Sequence, residues 1–393
     1  MPYPQLKVEE ILPGDGCAGA LAARVQRPDL GGPAVVAIRQ GGVFDITADF
    51  PTMRDLAEQP DPASALRKAW GERIGALGDI LANTPPDGRD ATKPWLLAPV
   101  DLQAIKAAGV TFVASMLERV IEERARGNPD SAARIRDEMG RLAGDDLRSL
   151  KPGSAEAERL KAALIAEGAW SQYLEVGIGP DAEIFTKAQP MSAVGCGADA
   201  GFHADSHWSN PEPEAVLIVA STGRIVGATL GNDVNLRDFE GRSALLLGKA
   251  KDQNASAALG PFLRFFDAGF TLDDVRAMEI SLQVVGEDGF KLDGRSSMRE
   301  ISRDPADLAA QLLGPHHAYP DGAALYCGTM FAPVQDRDAP GQGFTHRVGD
   351  VVTVGADKLG RLVNRMKHAH DCARWEFGTS ALMRNLARRG VLS

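Results

Sequence analysis

At 393 residues the chain is long enough for two or three domains and a sizeable core, and its 44 % apolar and 24 % charged residues are the balance of a soluble globular protein. A net charge of −10 with no basic block argues against nucleic acid as a partner. Four scattered cysteines (Cys17, Cys196, Cys327, Cys372) without C-x-x-C spacing argue against a zinc ribbon or a disulfide framework, and for a reducing compartment.

The sequence begins MPYPQLKVEEILPGDG, with no charged start followed by an apolar core, so no secretory signal is expected there. No run reaches the roughly 18 apolar residues of a membrane span. The expected setting is the cytoplasm, away from membranes. Residues 1–94 read as a small α+β domain. In it, Ala34–Arg39 and Val43–Thr47 flank Gln40-Gly41-Gly42 as a hairpin, and 51–78 has helical spacing broken at Pro60 and Pro62. Thr84-Pro85-Pro86-Asp87-Gly88 is a turn-rich boundary, and a second domain, 95–393, opens at Trp95. Met116, Leu117, Val120 and Ile121 at helical spacing predict a helix over 113–126, with Glu118, Arg119, Glu122, Glu123 and Arg124 between them. Asn128-Pro129-Asp130 breaks it, and helices are predicted over Ser131–Ala143 and Ser154–Glu167, the second capped by Ser154. From Tyr173 the pattern turns to short strands punctuated by Gly and Pro: Leu217–Ala220, Ile225–Leu230, Ile280–Val285, Ala323–Cys327 and Val351–Val354. A helix over 380–389, capped by Thr379, ends the chain. The expected class is α+β: a β-rich roll or sandwich with a small N-terminal α+β domain and a helical segment.

The most informative stretch is Pro211-Glu212-Pro213-Glu214, followed by an apolar run, a turn at Ser221-Thr222-Gly223-Arg224, a second apolar run and Gly231-Asn232-Asp233. Residues two apart on a strand project to one face. If Thr222-Gly223 is a two-residue loop, Asp233 lies opposite Glu212 and three carboxylates share that face. A one-residue slip moves a strand's side chains to the other face. Three hard oxygen donors with no accompanying His or Cys suit Mg²⁺, Mn²⁺ or Ca²⁺ rather than zinc. The alternative is an edge hairpin with solvated acids. Gly195-Cys196-Gly197 lacks the Gly-Lys-Ser/Thr ending of a phosphate loop, so nucleotide is not expected. His203-Ala204-Asp205-Ser206-His207 reads as a loop, as do His316-His317, and His368 and His370 read as surface residues.

Further segments fall in a recognisable order: Gly109-Val110-Thr111-Phe112, Glu183-Ile184-Phe185-Thr186-Lys187, Gly231–Asp238, Gly248-Lys249, Leu259-Gly260-Pro261, Cys327-Gly328-Thr329, Val348-Gly349-Asp350 and Gly360–Asn364. Over about residues 95–366 this order resembles the fumarylacetoacetate hydrolase family, and Pro-Glu-Pro-Glu is similar to its branch of 2-keto-3-deoxy-pentonate dehydratases. The resemblance implies a β-rich roll with one Mg²⁺ or Mn²⁺ held by Glu212, Glu214 and Asp233. It further implies an active-site lysine at Lys249. Thr329, with Gly328 before it, matches the threonine that binds the substrate's carboxylate. Lys187, Arg237 and Glu240 match residues flanking the site, and a homodimer or homotetramer is the implied assembly.

The hydrolases of that family activate water with a His and a Glu three residues apart. The matching positions here are Ser115 and Glu118. A serine is no base near neutral pH without a partner, so the resemblance implies dehydration rather than C–C hydrolysis. The implied substrate is a small 2-keto-3-deoxy sugar acid, with Lys249 and Glu118 sharing the base and acid roles. An acylpyruvate-type hydrolase, an oxaloacetate-type decarboxylase and a non-catalytic metal-stabilised binding protein are the competing expectations.

Overall fold

The computed structural model of the chain describes residues 3–126, 128, 150–166, 170–329, 333, 335–338 and 343–392. For Val113, Ala114, Ser115, Leu117 and Glu122 it describes the backbone alone. The expected helix Ser131–Ala143 therefore lies outside the described residues, and so does the side chain of Ser115.

Among the described residues a mixed sheet runs in the order Glu72–Gly75, Gly42–Asp45, Gly32–Arg39, Ala20–Arg27, Ala257–Phe265, Ile225–Asp233, Pro213–Val219, Ala323–Tyr326, Ala104–Gly109 and Glu183–Ala188. A second sheet, in the order Lys291–Ser297, Glu279–Val285, Val351–Ala356, Gly360–His368 and Asp199–Phe202, lies against one of its faces. The main core fills the space between the two sheets. A second apolar cluster lines the other face of the large sheet, under the helices Met53–Ala57 and Pro62–Lys68.

The central hairpin shows why its strands read as continuous apolar runs. Ala215, Leu217 and Val219 enter the core between the sheets, while Val216, Ile218 and Ala220 enter the other cluster. A strand buried on both faces has no solvated positions to alternate with. Each large aliphatic side chain so buried contributes roughly 1.5–3 kcal/mol, so the hairpin that carries the carboxylates is packed on both faces.

The predicted register holds, by a different route. Asp233 N–H donates to Glu212 O at 2.9 Å, and Glu214 pairs with Gly231. The loop, however, is Ser221-Thr222-Gly223, closed by Ala220 N–H to Arg224 O, with Gly223 at φ +84°. That is one residue longer than predicted. A bulge between Ile218 and Val219 absorbs the extra residue: Val219 pairs with Ile225, but Ile218 pairs with Gly227. Without the bulge the three carboxylates would not share a face.

The division expected at residue 94 is not a break in packing. Ala20–Arg27 pairs with Ala257–Phe265, so the N-terminal strands extend the same sheet. The predicted hairpin at 40–42 is present, with Ile38 opposite Val43. The C-terminal helix is Thr379–Arg388, with Gly378 rather than Thr379 at its cap position.

One edge of the hairpin is held by a buried charge cluster. Ser209-Asn210 pairs with Asn235-Leu236, and His346 N–H donates to Ser209 O. His346 Nδ1 lies 3.3 Å from Asp350, whose carboxylate is gripped by Arg337 at 2.7 and 2.8 Å. Burial opposes ionisation of Asp350, but His346 and Arg337 outweigh it and hold its carboxyl down to about 2. Burial also lowers the imidazole of His346 below its ordinary value. The unfolded chain therefore binds protons that the folded chain refuses. For His346 the loss of stability begins as pH falls below about 6.5, and for Asp350 it runs from about 3.9 downward through 2. We expect the melting temperature to fall in two stages below about pH 6.5. His346→Asn should flatten the first stage, and an unchanged first stage would remove His346 as its cause.

Candidate active site

Glu212, Glu214 and Asp233 are each at most 2 % exposed, and each offers a carboxylate oxygen within 4.8 Å of the others. Three like charges buried together need compensation. Lys251 supplies part of it, with Nζ 2.5 Å from Glu212 Oε2 and 3.0 Å from Asp233 Oδ2. Lys187, wholly buried, lies 2.7 Å from Asp233 Oδ1 and donates to the carbonyls of Val234 and Lys251. Arg119 bridges Glu212 and Glu240, the latter at 2.9 Å. Gly328 N–H donates to Glu214 Oε2 at 2.7 Å.

The carboxyls are driven apart in acidity. Burial opposes charge at Glu212, but Lys251 and Arg119 prevail and hold it to about 2. At Glu214 the charge of Lys251 acts in the same direction but does not prevail. Burial, then Asp233 and Glu212, raise it well above the carboxylate range. Burial opposes charge on Lys251, yet Asp233 and Glu212 raise its ammonium above lysine's ordinary value. Burial depresses Lys187. A group pushed toward protonation by two neighbouring carboxylates is what a divalent cation would relieve. The three hard oxygen donors suit Mg²⁺ or Mn²⁺, so the residues present fit the metal expected for them.

A small polar cleft opens onto this cluster. Its walls are Ala108, Gly109, Val110, Arg119, Glu183, Phe185, Glu212, Asp233, Glu240, Lys251 and Thr329. Burial and the charge of Glu240 raise Glu183 to about 7. A Cβ on Gly109 would lie 2.0 Å from Glu183 Oε2, so the bare backbone there is what lets the carboxyl in. Val110 has φ +56°, a strained conformation for a β-branched residue, costing about 1–3 kcal/mol.

Several expected site residues stand elsewhere. Lys249 is exposed, its ammonium 5.3 Å from the centre of the Phe239 ring. Helical residues advance about 100° each, so in Leu247–Lys251 the lysine that turns inward is Lys251. Glu118 does not line the cleft. It faces Arg237 at 3.9 Å, and Arg237 lies buried against Trp208 with Nε on Asn210. Lys187 sits beneath Asp233 rather than in the cleft, where it orients a carboxylate instead of meeting a substrate. The Gly328 amide is committed to Glu214. Thr329 and Glu240 do line the cleft. Arg119, not among the expected site residues, is buried at the centre of the charge network.

Residues 220–367 match the family described as fumarylacetoacetate (FAA) hydrolase, C-terminal. Over that stretch the chain is similar to the fumarylacetoacetate hydrolase family. A relative within reach is 2-dehydro-3-deoxy-D-arabinonate dehydratase of Saccharolobus solfataricus, 29 % identical over 188 residues, 47 % of this chain and only 58 % of that protein's length. The probable 2-keto-3-deoxyxylonate dehydratase of Haloferax volcanii is 26 % identical over 333 residues, 84 % of this chain and 94 % of that one. Among solved structures, a 2-keto-3-deoxy-D-arabinonate dehydratase complexed with magnesium and 2,5-dioxopentanoate shares the fold, with a TM-score of 0.60 at 20 % identity over 88 % of this chain and 99 % of that one. The fold shared with that structure is the sheet-rich α+β architecture described above.

Proposed function

We propose that the chain is a metal-dependent hydro-lyase acting on a 2-keto-3-deoxy sugar acid, a pentonate, which it converts to 2,5-dioxopentanoate and water. The observation that carries this reading is the meeting of three clustered buried carboxylates, two of which line the cleft, with two proton-exchanging groups in its wall, Glu183 and Lys251. The names of the relatives, and the magnesium and 2,5-dioxopentanoate bound by the solved neighbour, support it.

A divalent cation on Glu212, Glu214 and Asp233, magnesium by analogy with that neighbour, would supply Lewis-acid polarisation of the keto acid. The chain's own residues do the rest. Lys187 and Arg119 hold Asp233 and Glu212 in place. Thr329 offers its hydroxyl in the cleft wall to the substrate's carboxylate. Elimination needs a base at C3 and an acid at the C4 oxygen. Glu183 and Lys251 supply that pair: one accepts the C3 proton, the other donates to the departing hydroxyl, and the unsaturated product rearranges to the 5-aldehyde. Glu183, near 7, suits such exchange at neutral pH. We place the reaction in the cytoplasm, in keeping with four free cysteines.

Purified protein should convert synthetic 2-keto-3-deoxy-xylonate or -arabinonate to the semialdehyde with Mg²⁺ present. Activity should vanish with EDTA and return with excess Mg²⁺. An acylpyruvate and oxaloacetate run in parallel should be inert. Turnover of either, with none of the sugar acids, rejects the reading.

A further inference from the structure

A second group of metal-ligating side chains lies at the far end of the strand Gly360–His368. His368, His370 and Asp371 each offer a ligand atom within 4.8 Å of the others. We propose that this turn is a second metal site, of different chemistry from the carboxylate cluster, taking a borderline transition ion such as Zn²⁺, Ni²⁺ or Co²⁺.

The donor set decides the class of ion. Two imidazoles and one carboxylate favour these metals over Mg²⁺. Bonds of about 2.0–2.2 Å to one ion would draw the ligand atoms to roughly 3–4 Å apart, so only a small closure is needed.

The turn is held ready by contacts that do not use the ligand atoms. Ala369 N–H donates to Phe202 O at 2.7 Å, and Asp371 N–H and Cys372 N–H both donate to His368 O. Asn254 Nδ2 donates to the carbonyls of Ala369 and Ala373, at 2.9 and 3.2 Å. The His368 ring meets Phe202 edge-on at 5.1 Å. The rings of His368 and His370 lie 5.5 Å apart and only 33° from parallel.

The ligand atoms converge without being spent on one another. Asp371 lies 3.8 Å from His368 Nδ1 and 3.5 Å from His370 Nε2, too long for good hydrogen bonds. The His370 side chain is 66 % exposed, so an ion can reach the turn from solvent, and water can complete its coordination.

The test uses the full chain saturated with Mg²⁺, so that the carboxylate cluster is occupied and turnover is not the readout. Zn²⁺ is added in a calorimetric titration, and Co²⁺ is followed by its visible absorption. The wild type should take up one ion, with a Co²⁺ spectrum shifted by nitrogen ligation. His370→Ala, at an exposed position where folding is undisturbed, should weaken uptake by about tenfold or more, and Asp371→Asn should weaken it as well. The idea fails if Mg²⁺-saturated wild type takes up no Zn²⁺. It fails equally if His370→Ala binds as the wild type does, since the ion would then be displacing Mg²⁺ at the carboxylates.

Discussion

Lys251→Met should lower turnover of the sugar acid by about 10²–10⁴-fold, while Lys249→Met should leave it within about threefold of wild type. The two lysines are two residues apart on one short helix, and their surroundings differ completely. Lys251 is 2 % exposed and contacts two carboxylates of the cluster. Lys249 is exposed beside Phe239, where a cation–π contact contributes only about 0.5–1 kcal/mol. Methionine keeps most of the lysine stem, so the variant tests the charge and its proton rather than the packing. A stability signature accompanies the loss. Without metal, removing Lys251 leaves Glu212 and Asp233 short of positive charge, and breaking a buried pair in this way costs about 3–5 kcal/mol. Mg²⁺ should supply the missing charge, so the fall in melting temperature should be large in EDTA and smaller in excess Mg²⁺. An active Lys251→Met alongside an inactive Lys249→Met would reverse the assignment.

This pair also shows what the sequence can and cannot display. The carboxylates were legible because strand periodicity is local: a count of two along one strand, and a register across a hairpin, place Glu212, Glu214 and Asp233 together. Even there the loop is one residue longer than the turn signal implies, and the compensating bulge has no signature in the residues around Ile218. Which face of a one-turn helix meets the site depends on how the helix docks, so Lys249 and Lys251 were indistinguishable by pattern alone. Arg119 was hidden for the same reason. Its helix buries Met116, Val120 and Ile121, and only the tertiary arrangement turns the intervening arginine onto Glu212. Glu183 did leave a signal. It lies four residues before Lys187 on one strand, so the two share a face with Phe185 between them. Setting Lys187 near the cluster carries Glu183 with it. The long-range pairing of Ala20–Arg27 with Ala257–Phe265, which joins the expected domains into one sheet, had no local trace.

Gly328→Ala should damage the protein more than a glycine replacement usually does, and in a way that reaches the metal. Gly328 has φ +98°, where an L-residue is strained by roughly 1–2 kcal/mol. An added Cβ would also lie 2.0 Å from Thr111 Oγ1 and 3.0 Å from the carbonyl of Ala108. Neither neighbour can yield easily. The Thr111 hydroxyl donates to Cys327 O at 2.6 Å, and Ala108 is held in the sheet opposite Ile184. The backbone at 328 must therefore move, and with it the N–H that binds Glu214 at 2.7 Å. Glu214 is the carboxyl whose ionisation burial and its neighbours oppose most strongly, so it depends on that donor to hold its place among the ligands. Gly223→Ala provides the control. Its φ of +84° is as unfavourable, but a Cβ there meets nothing closer than 3.7 Å. Gly223→Ala should lose only the conformational term, about 1–2 kcal/mol, and bind Mg²⁺ as the wild type does. Gly328→Ala should lose more stability and, where it still folds, bind Mg²⁺ at least about tenfold more weakly. Thermal unfolding and Mg²⁺ titration of both variants decide the point. If Gly328→Ala matches Gly223→Ala in both measurements, the Gly328 amide does not position Glu214.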